Sequence, residues 1–428
     1  MKITAVVVGY GDRGRRYSVY ALKRPEELEI VGVVDPRRDQ LEDAKKTFSL
    51  KDSQLFTSLD DLLKLGKIAD CAIVTTMDQL HYVQGMALLH NNYNLLIEKP
   101  VTNSSKELED LRRTAKEKNL IMSVCHVLRY TPFYSSIKKA ILAGKVGEIM
   151  NVEICEHVGV SHANASYVRG KWRSEAICGS GYLLAKCCHD LDLIAWLNNN
   201  TKPTQVVSFG DKSFMVKEKA PEGSTDRCYP NCPHLDTCQW SAKIQYIDNN
   251  IFDGYTFLTC EKKYADMTHE ERIKALDTDP CGVCAYKNDS DLVDHQDVMI
   301  KFANGSTATH TLISGVPKAG RRIHVVGTDG EIEGWVGNSK FTIRKFDKSN
   351  CSYTEEIVDV SNMIEQNDGH AGGDHAIMED FVAYLGGRER SISSTDISDS
   401  IVGHECVFAA EKSRKENKII DLKNLNLQ

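Results

Sequence analysis

Gly9-Tyr10-Gly11-Asp12-Arg13-Gly14 follows directly on an apolar run, Ile3-Thr4-Ala5-Val6-Val7-Val8, and precedes a segment over Arg15–Lys23 that can be helical. Each glycine has its use: Gly9 permits a tight turn, Gly11 lets backbone N–H groups approach a pyrophosphate, and Gly14 lets the helix settle on the strand. The helix start adds the positive end of a dipole where an anion would sit. Alone, the spacing fits a plain glycine turn as well as a nucleotide cradle. A second apolar run, Ile30-Val31-Gly32-Val33-Val34, ends in Asp35, about 20 residues past the last glycine, where an acid would meet the hydroxyls of an adenosine ribose. Together they predict a dinucleotide site. A carboxylate at Asp35 repels a 2′-phosphate and accepts from a ribose diol, which favours NAD. Arg37 and Arg38 stand close enough to bind a phosphate, so NADP stays open.

The elements that position this turn alternate between strand and helix patterns over the first ~125 residues, as a doubly wound parallel sheet requires. Helices are expected over Asp39–Phe48, from Ser58, over His81–Asn91 and over Ser104–Lys118. Strands are expected at 71–76, 94–97 and 120–124, which with the two runs above names five strands of the six that a full dinucleotide-binding sheet holds. From Ile149 the runs become alternating or β-rich (149–155, 206–209, 298–302, 307–312, 323–326, 340–345), punctuated by Asn304-Gly305 and Asp329-Gly330. They predict a second, largely antiparallel sheet, closed by helices over Asp374–Leu385 and Ser394–Lys415. The expected division is residues 1–125 for the first domain and 126–428 for the second, with a cysteine-rich insertion at about 220–289.

A chain of 428 residues, 41% hydrophobic and 26% charged, suits a globular protein of two or three domains. A net charge of −7 argues against nucleic acid or an anionic membrane as the main partner. Met1-Lys2 leads straight into a buried-type strand, and no apolar run is long enough to span a bilayer, so a cytoplasmic setting is expected. There, 14 cysteines suggest free thiols or a metal site before disulfides.

Glu98-Lys99-Pro100 follows straight on the strand at 94–97. With the glycine turn, His126-Val127-Leu128-Arg129-Tyr130-Thr131-Pro132 and the stretch Gly179–Leu197, it resembles the glucose–fructose oxidoreductase / inositol dehydrogenase (Gfo/Idh/MocA) family over nearly the whole chain. The resemblance implies an N-terminal Rossmann domain and a C-terminal α+β domain with a large open sheet. It also implies a homo-oligomer assembled through that sheet, and a lysine beside the nicotinamide and substrate at Lys99. The cofactor set expected is Gly9, Tyr10, Gly11, Asp12, Arg13, Gly14, Asp35, Arg37, Thr75, Thr76, His81, Glu98 and Lys99.

The family commonly carries an aspartate four residues before its histidine; here that place is Ala185, followed by Lys186. The motif Lys-x-Cys-His-Asp-x-Asp resembles a branch directed at sugars and glycosides. Lys186 and His189 are three apart and share one helical face, although Lys186 could instead pair with Asp190. Oxidising a secondary alcohol needs a base for the hydroxyl proton while the carbon gives up a hydride. A free lysine has a pKa near ~10.4 and is a poor base at neutral pH. A cationic nicotinamide, a second lysine and burial would lower it, so Lys99 is expected to fall toward ~7. His189 needs no shift and is the expected principal acid/base, with Lys99 polarising the reacting oxygen and Lys186 binding a neighbouring hydroxyl or sharing the relay. His162, Tyr167, Arg169, Trp172 and Arg173 resemble the branch's substrate loop. An indole face among hydrogen-bond donors suits a pyranose; Trp172 could equally seal a domain interface. His126 and Arg129 complete the expected substrate set. In Gly369-His370-Ala371-Gly372-Gly373-Asp374, which also matches the branch, Asp374 reads either as a site residue or as a helix N-cap.

Cys228, Cys232 and Cys238, with Cys281 and Cys284 about forty residues on, have the close spacing of a tetrahedral zinc site, and a metal would pin an insertion with little apolar periodicity of its own. Free thiols or a disulfide are the alternatives. The branch resemblance favours Cys228, Cys232, Cys238 and Cys284, leaving Cys281 spare. The expected activity is NAD-dependent oxidation of a secondary hydroxyl of a sugar, glycoside (at C3, giving a 3-keto product) or cyclitol. Its rivals are a redox-neutral glycoside cleavage by oxidation, elimination, hydration and reduction, and a non-catalytic NAD-binding sensor.

Overall fold

The structure is a computed structural model that describes residues 2–249, 252–364 and 369–422. β1 (Ile3–Val8), β2 (Leu28–Val34), β3 (Leu55–Phe56), β4 (Cys71–Val74), β5 (Asn94–Ile97) and β6 (Met122–Val124) form a parallel sheet in the order β3-β2-β1-β4-β5-β6. β1, β4 and β5 read as almost unbroken apolar runs because helices cover both faces of the sheet, and Val6, Val7, Val8, Ile73, Val74 and Leu96 are sealed from water. The helix expected over 15–23 is broken in two, Asp12–Ser18 and Tyr20–Lys23.

β7 (Ile149–Gly159), β8 (Pro203–Asp211), β9 (His295–Phe302), β10 (Thr307–Val316), β11 (Gly320–Gly327), β12 (Gly330–Trp335), β13 (Lys340–Asp347), β14 (Ser352–Asp359) and β15 (Ile420–Asp421) form the second sheet, ordered β14-β13-β12-β11-β7-β10-β9-β8-β15. Every neighbouring pair in it is antiparallel except β7 and β10. The sequence reading passed over β3, β12, β14 and β15. β14 is the outermost strand and exposed along nearly its whole length, so it carries no apolar face to betray it.

Helix Tyr182–Leu197 crosses the inner face of this sheet and is buried at every position but Lys186, as a helix apolar on all sides must be. Helix Ile397–Glu416 packs on it with Cys406, Val407 and Ala410, while its first turn inserts Ile397 and Ile401 into the core of the parallel sheet. Helix Gly373–Leu385 also returns to the first domain, placing Ile377, Met378 and Phe381 against Tyr10, Tyr17 and Tyr20. The fold thus locks the two domains together through the chain's last helices.

The insertion occupies residues 212–294, between β8 and β9. Contrary to expectation it builds a small core of its own, with Tyr246, Phe257, Tyr264 and Leu276 buried and the Phe257 and Tyr264 rings stacked at 5.7 Å. Aromatic rings spaced irregularly along loops leave no period in the sequence.

Candidate active site

At Gly9 φ is +90°, and a Cβ there would lie 2.9 Å from the Thr75 backbone. At Gly14 a Cβ would come within 2.2 Å of the Gly9 carbonyl oxygen, so the helix can reach the turn only without a side chain. A Cβ at Gly11 would meet nothing within 4 Å: the space above it is open, and any side chain would fill it. Thr75 Oγ1 donates to the Gly9 carbonyl at 2.5 Å and holds the turn closed. Asp35 is buried at the end of β2, accepting from the Tyr10 N–H at 2.9 Å and from the Arg37 N–H at 3.0 Å. The Arg37 guanidinium folds back on the same carboxylate at 3.2 Å. An open glycine cradle beside a fixed carboxylate fits a dinucleotide.

Several residues expected at the cofactor are committed elsewhere. Arg13 binds Glu98 at 2.8 Å, Asp374 at 2.6 and 2.9 Å and Tyr17 at 2.5 Å, so it clamps the glycine turn to the Glu-Lys-Pro segment and to the C-terminal helix rather than offering itself to phosphate. Burial opposes ionisation of Glu98, but Arg13 and Lys99 outweigh it and lower its pKa. Asp374 is not the helix cap; Gly372 is, and Asp374 sits in the first turn facing Arg13. His81 is fully buried between the carbonyls of Pro100 and Thr76, at 2.7 and 3.1 Å. The Tyr10 ring lies in the core, Asp12 pairs with Arg16 at 3.0 Å, and the Thr76 hydroxyl donates to Gln84 at 2.6 Å.

Lys99 leaves the end of β5 through a cis Lys99–Pro100 peptide, its N–H held by Glu98 at 2.8 Å. Its ammonium donates to the Ala185 carbonyl at 3.1 Å, one helical turn before His189. The lowering expected of the Lys99 pKa rests on a bound cationic nicotinamide; the protein's own groups act the other way. Burial disfavours the charge of Lys99, but Cys188, Glu98 and Asp78 around it more than compensate, and the net shift is upward. His189 is buried and held far below its ordinary pKa, first by burial and then by Lys99, His126, Arg321 and His370. Its Nδ1 is sealed with no hydrogen-bond partner, which leaves Nε2 as the nitrogen that can meet a substrate. Lys186 does not pair with Asp190. It faces Glu156 at 3.5 Å, while Arg321 takes both Glu156, at 2.7 Å, and Asp190, at 2.6 Å. A neutral imidazole thus stands beside a cationic lysine at the carboxyl end of the parallel sheet, where open α/β sheets bind ligands.

His162 joins the group, pushed down to about 3 by burial and by Lys186, Arg321 and Lys99. It stacks on Phe252 at 5.0 Å; Tyr167 stacks on Tyr182 at 4.1 Å; Trp172 lies 6.0 Å from Tyr255. Phe252 and Tyr255, missed in the sequence, belong to the insertion. Burial raises the Tyr255 phenol above its ordinary pKa, with Asp12 adding to the rise and Lys99 opposing it. The remaining substrate candidates stand apart from that group. His126 is fully buried behind His189, and Arg129 is sealed against Asp192 at 2.5 and 2.7 Å. Arg169 is buried against Asn164, the Val283 carbonyl and Cys228 Sγ, and Arg173 reaches Asp289 at 2.9 Å. These arginines hold the loop to its neighbours.

Cys228, Cys232, Cys238 and Cys284 line one small cavity together with His234, whereas Cys281 turns away and accepts from the Phe257 N–H at 3.4 Å. Among the described residues, the only group of metal-ligand types whose donor atoms all lie within 4.8 Å of one another is Cys187, Asp190 and His310. Asp190 there is already bound by Arg321, so that group is an ion-pair network.

A parallel sheet with an open glycine cradle, and a lysine and histidine at its carboxyl end, define a nicotinamide-dinucleotide-dependent oxidoreductase. Residues 3–126 match the model of the oxidoreductase family with an NAD-binding Rossmann fold, and residues 138–422 match the C-terminal alpha/beta domain of the same family. The chain belongs to the Gfo/Idh/MocA oxidoreductase family. It is 23% identical over 395 residues to the putative oxidoreductase YteT of Bacillus subtilis (strain 168), covering 87% of each chain. Over 186 residues it is 27% identical to the scyllo-inositol 2-dehydrogenase (NADP(+)) IolW of the same organism, covering 44% of this chain and 49% of that one. Among solved structures, levoglucosan dehydrogenase in complex with NADH superposes with a TM-score of 0.71 at 15% identity, over 99% of this chain and 100% of that one. The UDP-N-acetylglucosamine 3-dehydrogenase GnnA from Acidithiobacillus ferrooxidans does so with 0.64 at 16%, over 97% and 98%.

Proposed function

We propose that this protein oxidises a secondary hydroxyl of a sugar, glycoside or cyclitol with NAD, the C3 hydroxyl of a glycoside being the favoured target. The observation that carries the reading is the pairing of Lys99 and His189: a fixed ammonium and a neutral imidazole, one helical turn apart in their anchoring, beside the glycine cradle. The names of relatives and structural neighbours that act on inositol, levoglucosan and a UDP-sugar at C3 support the substrate class. The buried Asp35, bracing the turn and facing where a ribose lies, supports NAD over NADP. When bound, the nicotinamide accepts the hydride. Lys99 keeps its charge and donates a hydrogen bond to the reacting oxygen, stabilising the alkoxide that forms. His189 takes the hydroxyl proton at Nε2, and Lys186, screened by Glu156, faces a neighbouring hydroxyl. Trp172, His162 and the insertion's Tyr255 offer the apolar wall that a pyranose ring needs.

Mass spectrometry of products from a glycoside panel, with NAD supplied in excess or only catalytically, separates the readings. NADH and a keto-glycoside in step with each other support oxidation; free aglycone at catalytic NAD shows the redox-neutral cleavage; unchanged substrate throughout contradicts both.

The cysteine cavity supports a structural zinc held by Cys228, Cys232, Cys238 and Cys284. Four thiols of the right type meet there, although no three sulfurs yet lie mutually within 4.8 Å, so binding would draw them inward. Elemental analysis of the purified chain should find one zinc, lost on Cys284→Ser. A metal-free protein of unchanged melting temperature would refute it.

A further inference from the structure

We propose that His126 is a positioning residue that joins the catalytic imidazole of His189 to the carboxylate of Asp192, fixing the proton of His189 on Nδ1 and leaving Nε2 free to act. This rests on the reading of His189 as the acid/base. The family's usual aspartate, four residues before the histidine, is replaced here by Ala185, and Asp192, one turn on along the same helix, is bound by Arg129; His126 supplies an indirect route to that carboxylate.

His126 is wholly buried, and neither of its ring nitrogens has a hydrogen-bond partner. Leaving such groups unpaired in the interior costs roughly 1–3 kcal/mol each, so a partner is expected in the working state. Three polar neighbours are in reach. His404, with its ring 5.3 Å away, is already spent: its Nε2 accepts from the Val101 N–H at 3.1 Å, so the proton sits on Nδ1, facing the Ser400 carbonyl at 3.3 Å. Asp192 places Oδ1 3.7 Å from His126 Nε2 and is itself anchored by Arg129. The third is His189, edge-on at 77° with ring centroids 5.6 Å apart, and its buried Nδ1 also lacks a partner. Two unpaired Nδ1 atoms on adjacent rings complete one another: His189 Nδ1–H donates to His126 Nδ1, and His126 Nε2–H donates to Asp192.

One proton moves in the step. The substrate O–H bond breaks, its proton bonds to His189 Nε2, and the electron pair left on oxygen forms the carbonyl; the C–H hydride would go to NAD when it is bound. The resulting imidazolium is surrounded by Lys99, Arg321 and His370, all unfavourable to it, as His126 is whenever its own ring is protonated; held neutral by burial, His126 acts on it only as a hydrogen-bond acceptor. Around His126, Arg129 and Lys99 also disfavour a proton, His404 is neutral and Glu98 favours one; the Asp192 carboxylate lies 3.7 Å from Nε2, its pKa raised by burial against the pull of Arg129. Asp192, reached through His126, therefore stabilises the charge that base catalysis creates, the logic of an acid–imidazole pair lengthened by one ring.

The test uses the full-length enzyme with NAD and its best panel substrate. His126→Phe should lower kcat about 10²-fold at unchanged KM for both substrates, and move the acid limb of the kcat/KM profile to lower pH. His126→Gln, whose amide can accept from His189 and donate to Asp192, should recover part of the loss. In wild-type protein carrying ¹⁵N-histidine, the resonance assigned to His189 by its loss in His189→Ala should report a ring protonated on Nδ1. Unchanged kcat and pH limb in both variants, or His189 protonated on Nε2, would overturn the proposal. Should His126→Phe fail to fold, the glutamine variant and the wild-type spectrum decide it. Full activity in His189→Ala would instead sink the underlying reading, and the spectrum distinguishes the two failures.

Discussion

Lys99 shows how neighbours decide a side chain's role. A lysine with a raised pKa is a poor general base but a good fixed cation, and the Cys188, Glu98 and Asp78 environment puts it in the second category. Lys99→Met should cut turnover at least about 10²-fold with NAD affinity little changed, measured by steady-state kinetics and NAD titration. The buried histidines give a separate, pH-linked prediction. His126, His162, His189 and His404 all have folded-state pKa values below the ordinary ~6.5, two of them at about 3. Each is neutral in both states at high pH. Below ~6.5 the unfolded chain takes up protons that the folded chain refuses, so stability falls by about 1.4 kcal/mol per pH unit for each histidine, down to its folded pKa. The melting temperature should therefore decline between pH ~6.5 and ~5, above the range where the carboxylates protonate. At this scale the sequence announced Lys99, Lys186 and His189 through motif and spacing. It did not announce that His126, Arg129 and Arg169 would be sealed, because burial depends on what packs over a residue from distant segments.

Among elements, the glycine turn and helix Asp12–Ser18 carry the most specific geometry. Gly14→Ala places a methyl group against the rigid carbonyl of Gly9 and should weaken NAD binding at least tenfold, read by fluorescence titration, while the melting temperature drops. Arg13 ties that helix to Glu98 and to helix Gly373–Leu385; Arg13→Met strands two enclosed carboxylates and should cost about 3–5 kcal/mol in urea unfolding. Buried parallel strands were readable as apolar runs, and helices by their caps, as at Ser58 and Ser104. β14 and the aromatic core of the insertion were not, since an edge strand needs no apolar face and loop-borne rings have no period. The Arg13–Asp374 clamp joins residues 361 positions apart, a pairing only the fold reveals.

For the whole molecule, the last two helices fasten the domains so that the dinucleotide cradle and helix Tyr182–Leu197 face each other across a fixed cleft, roofed by the insertion through a Lys263–Asp39 ion pair at 3.4 Å. Exposed Phe209, Met299 and Ile313 on β8, β9 and β10 support assembly of copies through the outer face of the large sheet. Sedimentation should find a dimer or tetramer that Phe209→Lys with Met299→Lys dissociates. The central claim is that Lys99 and His189 act together on a substrate hydroxyl at bound NAD. Single-turnover mixing of NAD-loaded enzyme with the panel's best glycoside, followed by NADH fluorescence, tests it most directly. The wild type should give a rapid rise in NADH, slowed about 10²-fold or more in Lys99→Met and in His189→Ala while both still bind NAD. A rise of equal rate in either variant would contradict the account.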